Sequence, residues 1–388
     1  MNFEFTEEQK LFAAAVRRFA LAELEAGALR RAHDPRFPFD VAQRMSRQGL
    51  MGITLAETDG GQGGSLIDAV IAIEQVALVC PRSADVVQSG SFGPIRTFAE
   101  YASPSLKSRY LADLLAGHSV MSLAMSEPEA GSAVTDLRTT AKLEGPHCVI
   151  NGAKIFSTFS PDAAVFLVYA RFGPGIGGIG SVVVARDTPG FGIGQPSAFM
   201  SGEEWCELHF EDCRIPADQV LLGPGGFKKQ ITGFNVERIG NAARSLAFGR
   251  YAFNTARDHV ATRVQFGRPL CEFQGLQWKF ADMALKLEGA QLLLYRAAVN
   301  ADRGFPSAYE TSLAKAACNL AGFEVAHEAV QAMGATGYSR DTLVEYCMRR
   351  CRGWMIAGGS VEILKNRIAE EIFDRRFDQR GGRVDAAE

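Results

Sequence analysis

The chain has 388 residues, of which 47% are hydrophobic and 22% charged, with 15 prolines. That length is two to three times a usual single domain, so two or three packed units with a large core are expected and extensive disorder is excluded. Lys plus Arg total 41 against 44 Asp plus Glu, a net charge of -3, which removes any bulk electrostatic case for binding nucleic acid or anionic lipid.

The start, Met1 to Phe5, lacks a basic region followed by an apolar one, and the longest apolar run, Leu66 to Cys80, is broken by Asp68 and Glu74. A cytoplasmic chain with no membrane span is the expectation. Thr6-Glu7-Glu8-Gln9 fits a capping box ahead of Leu11, Phe12, Val16 and Phe19, and Ser103-Pro104 starts a later helix that Gly117 closes. Residues 1–119 therefore read as a helical unit.

Near residue 120 the helical period fades. Cys148 to Ile150, Val165 to Tyr169, Ser181 to Val184 and Leu208 to Phe210 read as strands of a middle β-sheet or barrel unit, 120–226. Within it, Asn151-Gly152 predicts a tight turn feeding a strand. Gly175 to Gly180 spells the dinucleotide-binding GxGxxG, but Ser181 to Ala185 reads as a strand where that motif needs a helix, so a hairpin connection is expected.

From residue 227 the 3.6-residue period returns, with apolar rows at 236, 239, 243 and 246, at 276, 280, 283 and 287, and at 313, 316, 320 and 323. Asn300 to Ser307 and Gly334 to Ser339 separate successive helices. The fold class is α+β: N-terminal helices, a middle sheet, and a C-terminal four-helix bundle over 227–388. Eight cysteines without CxxC pairing read as reduced, buried side chains. Glu324-Val325-Ala326-His327 is one copy of a motif that di-iron bundles use twice, so no metal centre is expected and His327 reads as a hydrogen-bonded interhelix residue.

Five segments point to chemistry. Leu123 to Ser132 runs a strand into a turn of small residues that suits a polar cofactor edge. Asn151 to Thr158 adds an aromatic and two hydroxyls. Arg263 to Leu270, followed by Phe273 to Gln277, places an arginine at a helix break where it could hold a phosphate. Gln331 to Tyr338 and Ile356 to Leu364 are glycine-rich turns before helices.

In this order the segments resemble the acyl-CoA dehydrogenase family from Thr6 to about Arg380. The resemblance rests on AMxEPxAGS at 124–132, NGxK at 151–154, RxxFGxPLxxFQ at 263–274, and the late QxxGxxGY and GGS elements. It implies FAD bound between the β unit and the bundle of a homotetramer built as a dimer of dimers, or less often a dimer. Met125, Ser126, Phe156, Ser157 and Thr158 would border the flavin ring, and Ser132 its phosphates or the substrate. Arg263, Phe266, Gln274, Gln331 and Gly334 would reach it from a neighbouring subunit, and Ser360 and Glu362 would complete the site. Asn235, Arg238 and Gly359 would lie along the substrate. Ala133 and Ala335 depart from the family pattern, which commonly has Asp and Gly there.

Dehydrogenation across a thioester's α and β carbons needs a base for the α proton beside a hydride acceptor. Many members carry a glutamate where this chain has Gly358. A minority branch, including isovaleryl-CoA dehydrogenase, supplies it from the bundle helix just before an arginine, where this chain has Glu237-Arg238. Glu237 is therefore the expected base, with the Gly358 amide polarising the thioester carbonyl. The implied activity is oxidation of a short, branched or cyclic acyl-CoA, with electrons passing to an electron-transfer flavoprotein. The alternatives are a carrier-protein thioester, an acyl-CoA desulfinase, and a non-catalytic FAD-binding scaffold.

Overall fold

The computed structural model describes residues 4–377; Met1 to Phe3, and the expected end of the family-like stretch at Arg380, lie outside them. Thr6 and Gln9 exchange side-chain and backbone hydrogen bonds, closing the expected capping box of α1 (Glu7–Glu23). There follow α2 (Ala28–Ala32), α3 (Phe39–Arg47), α4 (Leu66–Ala77), α5 (Ala84–Ser91), α6 (Pro94–Tyr101) and α7 (Pro104–Leu115). Ser103 caps α7, whose first residue is proline, as expected. Helix α4 is apolar on nearly every face because it is covered by α1, α5 and two later helices, Phe227–Thr262 and Gln274–Ala301.

Strands β1 (Met121–Ala124), β2 (Thr140–Glu144), β3 (His147–Thr158), β4 (Val165–Arg171), β5 (Ile179–Ala185), β6 (Phe191–Ile193), β7 (Ser197–Ala198), β8 (Glu204–Pro216) and β9 (Val220–Leu222) form one sheet. Its path is β6-β8-β3-β2-β4-β5-β9, with β1 parallel beside β4 and β7 against β8. All four expected strand runs fall within it. β4 and β5 are buried on both faces and accordingly read as unbroken apolar runs, whereas β8 alternates. After Gly175 a single turn leads straight into β5, so GxGxxG is a strand connection here.

The expected turn at Asn151-Gly152 does not form. The chain reverses at Gly145-Pro146 instead, and β3 runs through Asn151 with a bulge against β8 between Ile150 and Gly152. Gly152 has φ 141°, outside hairpin-turn values, and a Cβ there would lie 2.7 Å from the Thr139 Cα. The Asn151 side chain is tied across to Asp212 on β8 in both directions, at 3.1 and 2.8 Å.

The C-terminal part comprises α8 (Phe227–Thr262), a two-stranded hairpin of β10 (Val264–Gln265) and β11 (Arg268–Pro269), α9 (Gln274–Ala301), α10 (Ala308–Met333), α11 (Ala335–Tyr338), α12 (Leu343–Trp354) and α13 (Val361–Ile372). The α8 row 236, 239, 243, 246 is buried as expected. The α10 row is displaced. Leu313, Leu320 and Phe323 are only half-buried, and the inward face instead carries Ala314, Lys315, Cys318, Asn319 and Gly322. Two polar residues on that face hide its period from an apolar pattern. Helices α8 and α10 touch backbone to backbone: a Cβ at Gly322 would meet the Ser245 carbonyl oxygen at 2.3 Å, and one at Gly249 the Gly322 Cα at 2.9 Å. His327 is not the expected interhelix bridge; it is exposed and stacked on Phe323 of its own helix, while Glu324 pairs with Lys286 of α9.

One buried charge cluster joins all three parts. Asp85 of α5 is 0% exposed and accepts from Arg82 (2.8 Å), Arg244 of α8 (2.5 Å) and Arg350 of α12 (2.8 Å). Arg350 also reaches Glu203, ahead of β8, at 2.5 Å. The eight cysteines are free, seven of them buried. Among the described residues no helix is long and apolar enough to cross a membrane, and no group of three or more His, Cys, Asp or Glu could hold a metal.

Candidate active site

Glu237 sits one residue past the buried α8 row and lines a small pocket shared with residues of α6, β1, β4 and α8. The side chain is 23% exposed. Gln88 of α5 donates to its Oε2 at 2.7 Å, and Arg244, two turns along α8, stands 4.0 Å from its Oε1. Burial raises the Glu237 pKa above the usual carboxylate value, against the opposing pull of Arg244, the Gln88 hydrogen bond and Lys315. The adjacent Arg238 is engaged elsewhere. Its Nε donates to the Gly358 carbonyl oxygen at 2.9 Å and its Nη1 to Asn235 Oδ1 at 3.0 Å, so Asn235 is a buried partner of the arginine.

The segment joining α12 to α13 passes this helix with Gly358 at φ 75° and Gly359 at φ 93°, conformations that favour glycine. Its carbonyls are held from beneath. Lys315 donates to Trp354 O (3.1 Å) and Gly359 O (3.0 Å), and Asn319 donates to Trp354 O. Burial and the neighbouring Arg238 lower the Lys315 pKa to about 7, with Glu237 opposing. Among the described residues no acceptor takes the Gly358 N–H. Ser360 caps α13 by accepting from the Ile363 N–H, and Glu362 is exposed in its first turn.

A second cluster forms where β1 ends beside β3. The Ile155 N–H donates to the Ser126 carbonyl at 2.9 Å, placing Met125 and Ser126 next to the end of β3. Buried Lys154 donates to Met125 O (3.1 Å) and pairs with Glu127 (2.7 Å), which also accepts from the Arg138 and Thr139 amides. Phe156, at φ 57° and 52% exposed, leans on Trp205 with ring centroids 4.5 Å apart. Thr158 shares its exposed side. Ser157 does not: it is buried on the opposite face, as strand alternation requires. Ser132 lies exposed in the following loop.

The third group is remote. Arg263, Phe266 (94% exposed) and Gln274 surround the β10–β11 hairpin beyond the end of α8, about 38 Å along that helix from Glu237. Gln331 and Gly334 are exposed at the end of α10. The structure thus brings Arg238, beside Glu237 on α8, to Gly358 and Gly359, and Met125 and Ser126 to the Phe156 strand, but joins neither to the hairpin group within one chain. Sequence reasoning missed Gln88, Arg244 and Lys315. The available signal was a polar residue amid small or apolar ones, as in Ala314-Lys315-Ala316.

Family models for the N-terminal, middle and C-terminal domains of acyl-CoA dehydrogenase match residues 6–118, 122–213 and 224–373. The 3-sulfinopropanoyl-CoA desulfinase of Paraburkholderia xenovorans is 33% identical, covering 97% of this chain and 99% of that protein. A short-chain-specific acyl-CoA dehydrogenase of Clostridium acetobutylicum is also 33% identical, covering 96% and 100%. Among solved structures, a chain in that of the electron-transferring flavoprotein of Acidaminococcus fermentans superposes with TM-score 0.90 at 30% identity, covering 96% and 99%. The chain belongs to the acyl-CoA dehydrogenase family, whose members bind FAD and act as oxidoreductases on acyl-CoA.

Proposed function

We propose that this protein oxidises a short acyl-CoA across its α and β carbons, with Glu237 as the base for the α proton. The observation that carries this is a largely buried Glu237 carboxylate lining a pocket between the sheet and α8, on the helix whose next residue, Arg238, bonds the Gly358 carbonyl. The raised pKa of Glu237 makes it a better proton acceptor than an exposed glutamate. The unpaired Gly358 N–H would receive the thioester oxygen and acidify the α proton.

The residues present fit a flavin. Exposed Phe156 and Thr158 offer an aromatic edge and a hydroxyl beside Met125 and Ser126, and the Ser360 turn opens a helix N-terminus. FAD bound there would supply the hydride acceptor. Arg263, Phe266, Gln274, Gln331 and Gly334 would hold its pyrophosphate and adenosine from a second copy, since α8 carries the hairpin far from its own Glu237. Self-association also suits Trp278, Leu285, Leu292 and Val299, exposed apolar residues every seventh position on α9. We assign a homotetramer, with an electron-transfer flavoprotein as oxidant of the reduced cofactor.

Several similar proteins are desulfinases, but a carboxylate at 237 favours proton abstraction, and a catalytic site of this completeness argues against a scaffold. The test is anaerobic titration of the purified yellow protein with acyl-CoA thioesters. Bleaching of the flavin is expected; a spectrum indifferent to every thioester would overturn the assignment.

A further inference from the structure

The pocket lined by Glu237 also carries polar residues that the proposed reaction does not use. Gln230 lies on α8 seven residues before Glu237, hence on the same face, and is 1% exposed. Its Oε1 accepts from Ser181 Oγ on β5 at 2.6 Å, which orients the amide, and its buried Nε2 lies beside the Tyr169 hydroxyl without closing a well-aligned hydrogen bond to it. Tyr169 of β4, 1% exposed, and Thr97 of α6, 4% exposed, line the same space with their hydroxyls. Burial pushes the Tyr169 hydroxyl well above its ordinary value, so it stays a donor. The remaining walls include Leu123, Leu167 and Phe234, and no lysine or arginine lines the cavity.

A plain alkyl end would leave the buried Gln230 amide with only the poorly aligned Tyr169 hydroxyl as acceptor, a state a site discriminates against. A carboxylate end would meet no cation on the pocket wall, with Arg238 behind it bonded to Gly358 and Asn235, and would share the pocket with the Glu237 carboxylate. Resting on the dehydrogenase reading above, we propose that the preferred substrate is a short acyl-CoA whose far end carries a neutral, hydrogen-bond-accepting oxygen. The Gln230 amide recognises that oxygen together with the Tyr169 and Thr97 hydroxyls.

The test compares anaerobic flavin reduction by butyryl- and pentanoyl-CoA with that by 4-hydroxybutyryl-, 5-hydroxypentanoyl- and glutaryl-CoA. At least one hydroxylated chain should exceed its alkyl counterpart about 10-fold in kcat/KM, with glutaryl-CoA poorest. Gln230→Leu and Tyr169→Phe should collapse that ratio toward one at matched flavin content. If Gln230→Leu loses its flavin, Tyr169→Phe, which removes only a hydroxyl, decides. Equal or better turnover of the alkyl chains by the wild type, or a ratio unchanged in the variants, would overturn the proposal. Reduction by none of the five would instead remove the dehydrogenase reading with it.

Discussion

The Gln88 amide donates to Glu237 Oε2 at 2.7 Å, so a residue of the N-terminal helices sets the basicity of a carboxylate on the C-terminal bundle. The donor favours the charged carboxylate and lowers its pKa against the raising effect of burial. Gln88→Leu should therefore raise the Glu237 pKa further. A base works only when deprotonated, so the acid limb of the kcat/KM profile should move to higher pH. On that limb the rate should fall about 10-fold, the scale of one hydrogen bond to a charged group. An unmoved limb would mean that Glu237 is not the group being titrated.

Glu237→Gln keeps shape and removes the proton acceptor. Flavin content and thioester binding should stay near wild type while stopped-flow flavin reduction slows by ~10²- to 10⁴-fold. Adding Gly358→Glu should recover only a small part of the rate. The backbone there has φ 75°, and the new Cβ would lie 3.3 Å from Lys315 Cε, drawing the carboxylate toward the ammonium. Full speed in the single variant would sink the base assignment.

Removal of Asp85 leaves Arg82, Arg244 and Arg350 facing one another without their shared anion. Asp85→Asn should cost about 3–5 kcal/mol, read as a lower midpoint in chemical denaturation. The three guanidinium groups hold the Asp85 carboxyl well below its ordinary value of 3.8 in spite of burial. For a depressed carboxylate, stability is present above the unfolded pKa and lost as pH falls toward the folded one. The wild type should thus lose stability below about pH 4 partly through Asp85, and the variant should lack that share.

Arg263→Ala removes a charge-assisted contact typically worth ~1.5–3 kcal/mol from the proposed pyrophosphate site. Flavin retained after gel filtration should drop, with the fold unchanged because the side chain is exposed. Undiminished flavin occupancy would remove Arg263 from the cofactor site.

Helix starts were legible because caps are local: Thr6 and Ser103 bond within four residues of themselves. So were β4 and β5, whose burial on both faces writes a continuous apolar run. Asn151-Gly152 misled because its side chain has a choice between closing a turn and crossing to Asp212, 61 residues on. The same limit hid the supports of the site. Lys315, Gln88 and Asp85 are ordinary polar residues until α10, α5 and α8 converge, and a pattern of apolar periodicity counts each as solvent-facing. Glu237 was singled out as the expected base by likeness to a family branch; its setting against Gln88 and Arg244 was not legible.

The glycine crossing of α8 and α10 bears on reactivity as well as packing. Glu237 rides on α8 and the Gly358 segment hangs from Lys315 and Asn319 on α10, so the two helices act as the arms of a caliper whose pivot is Gly249 against Gly322. The pivot lies 12 residues from Glu237, an arm of about 18 Å. A methyl group inserted there would work as a wedge, turning a small displacement at the crossing into a larger separation at the jaws, where a proton has to travel between atoms in hydrogen-bonding reach. The spacing between Glu237 and the Gly358 segment is thereby gauged at the crossing, by two residues that have no side chain at all.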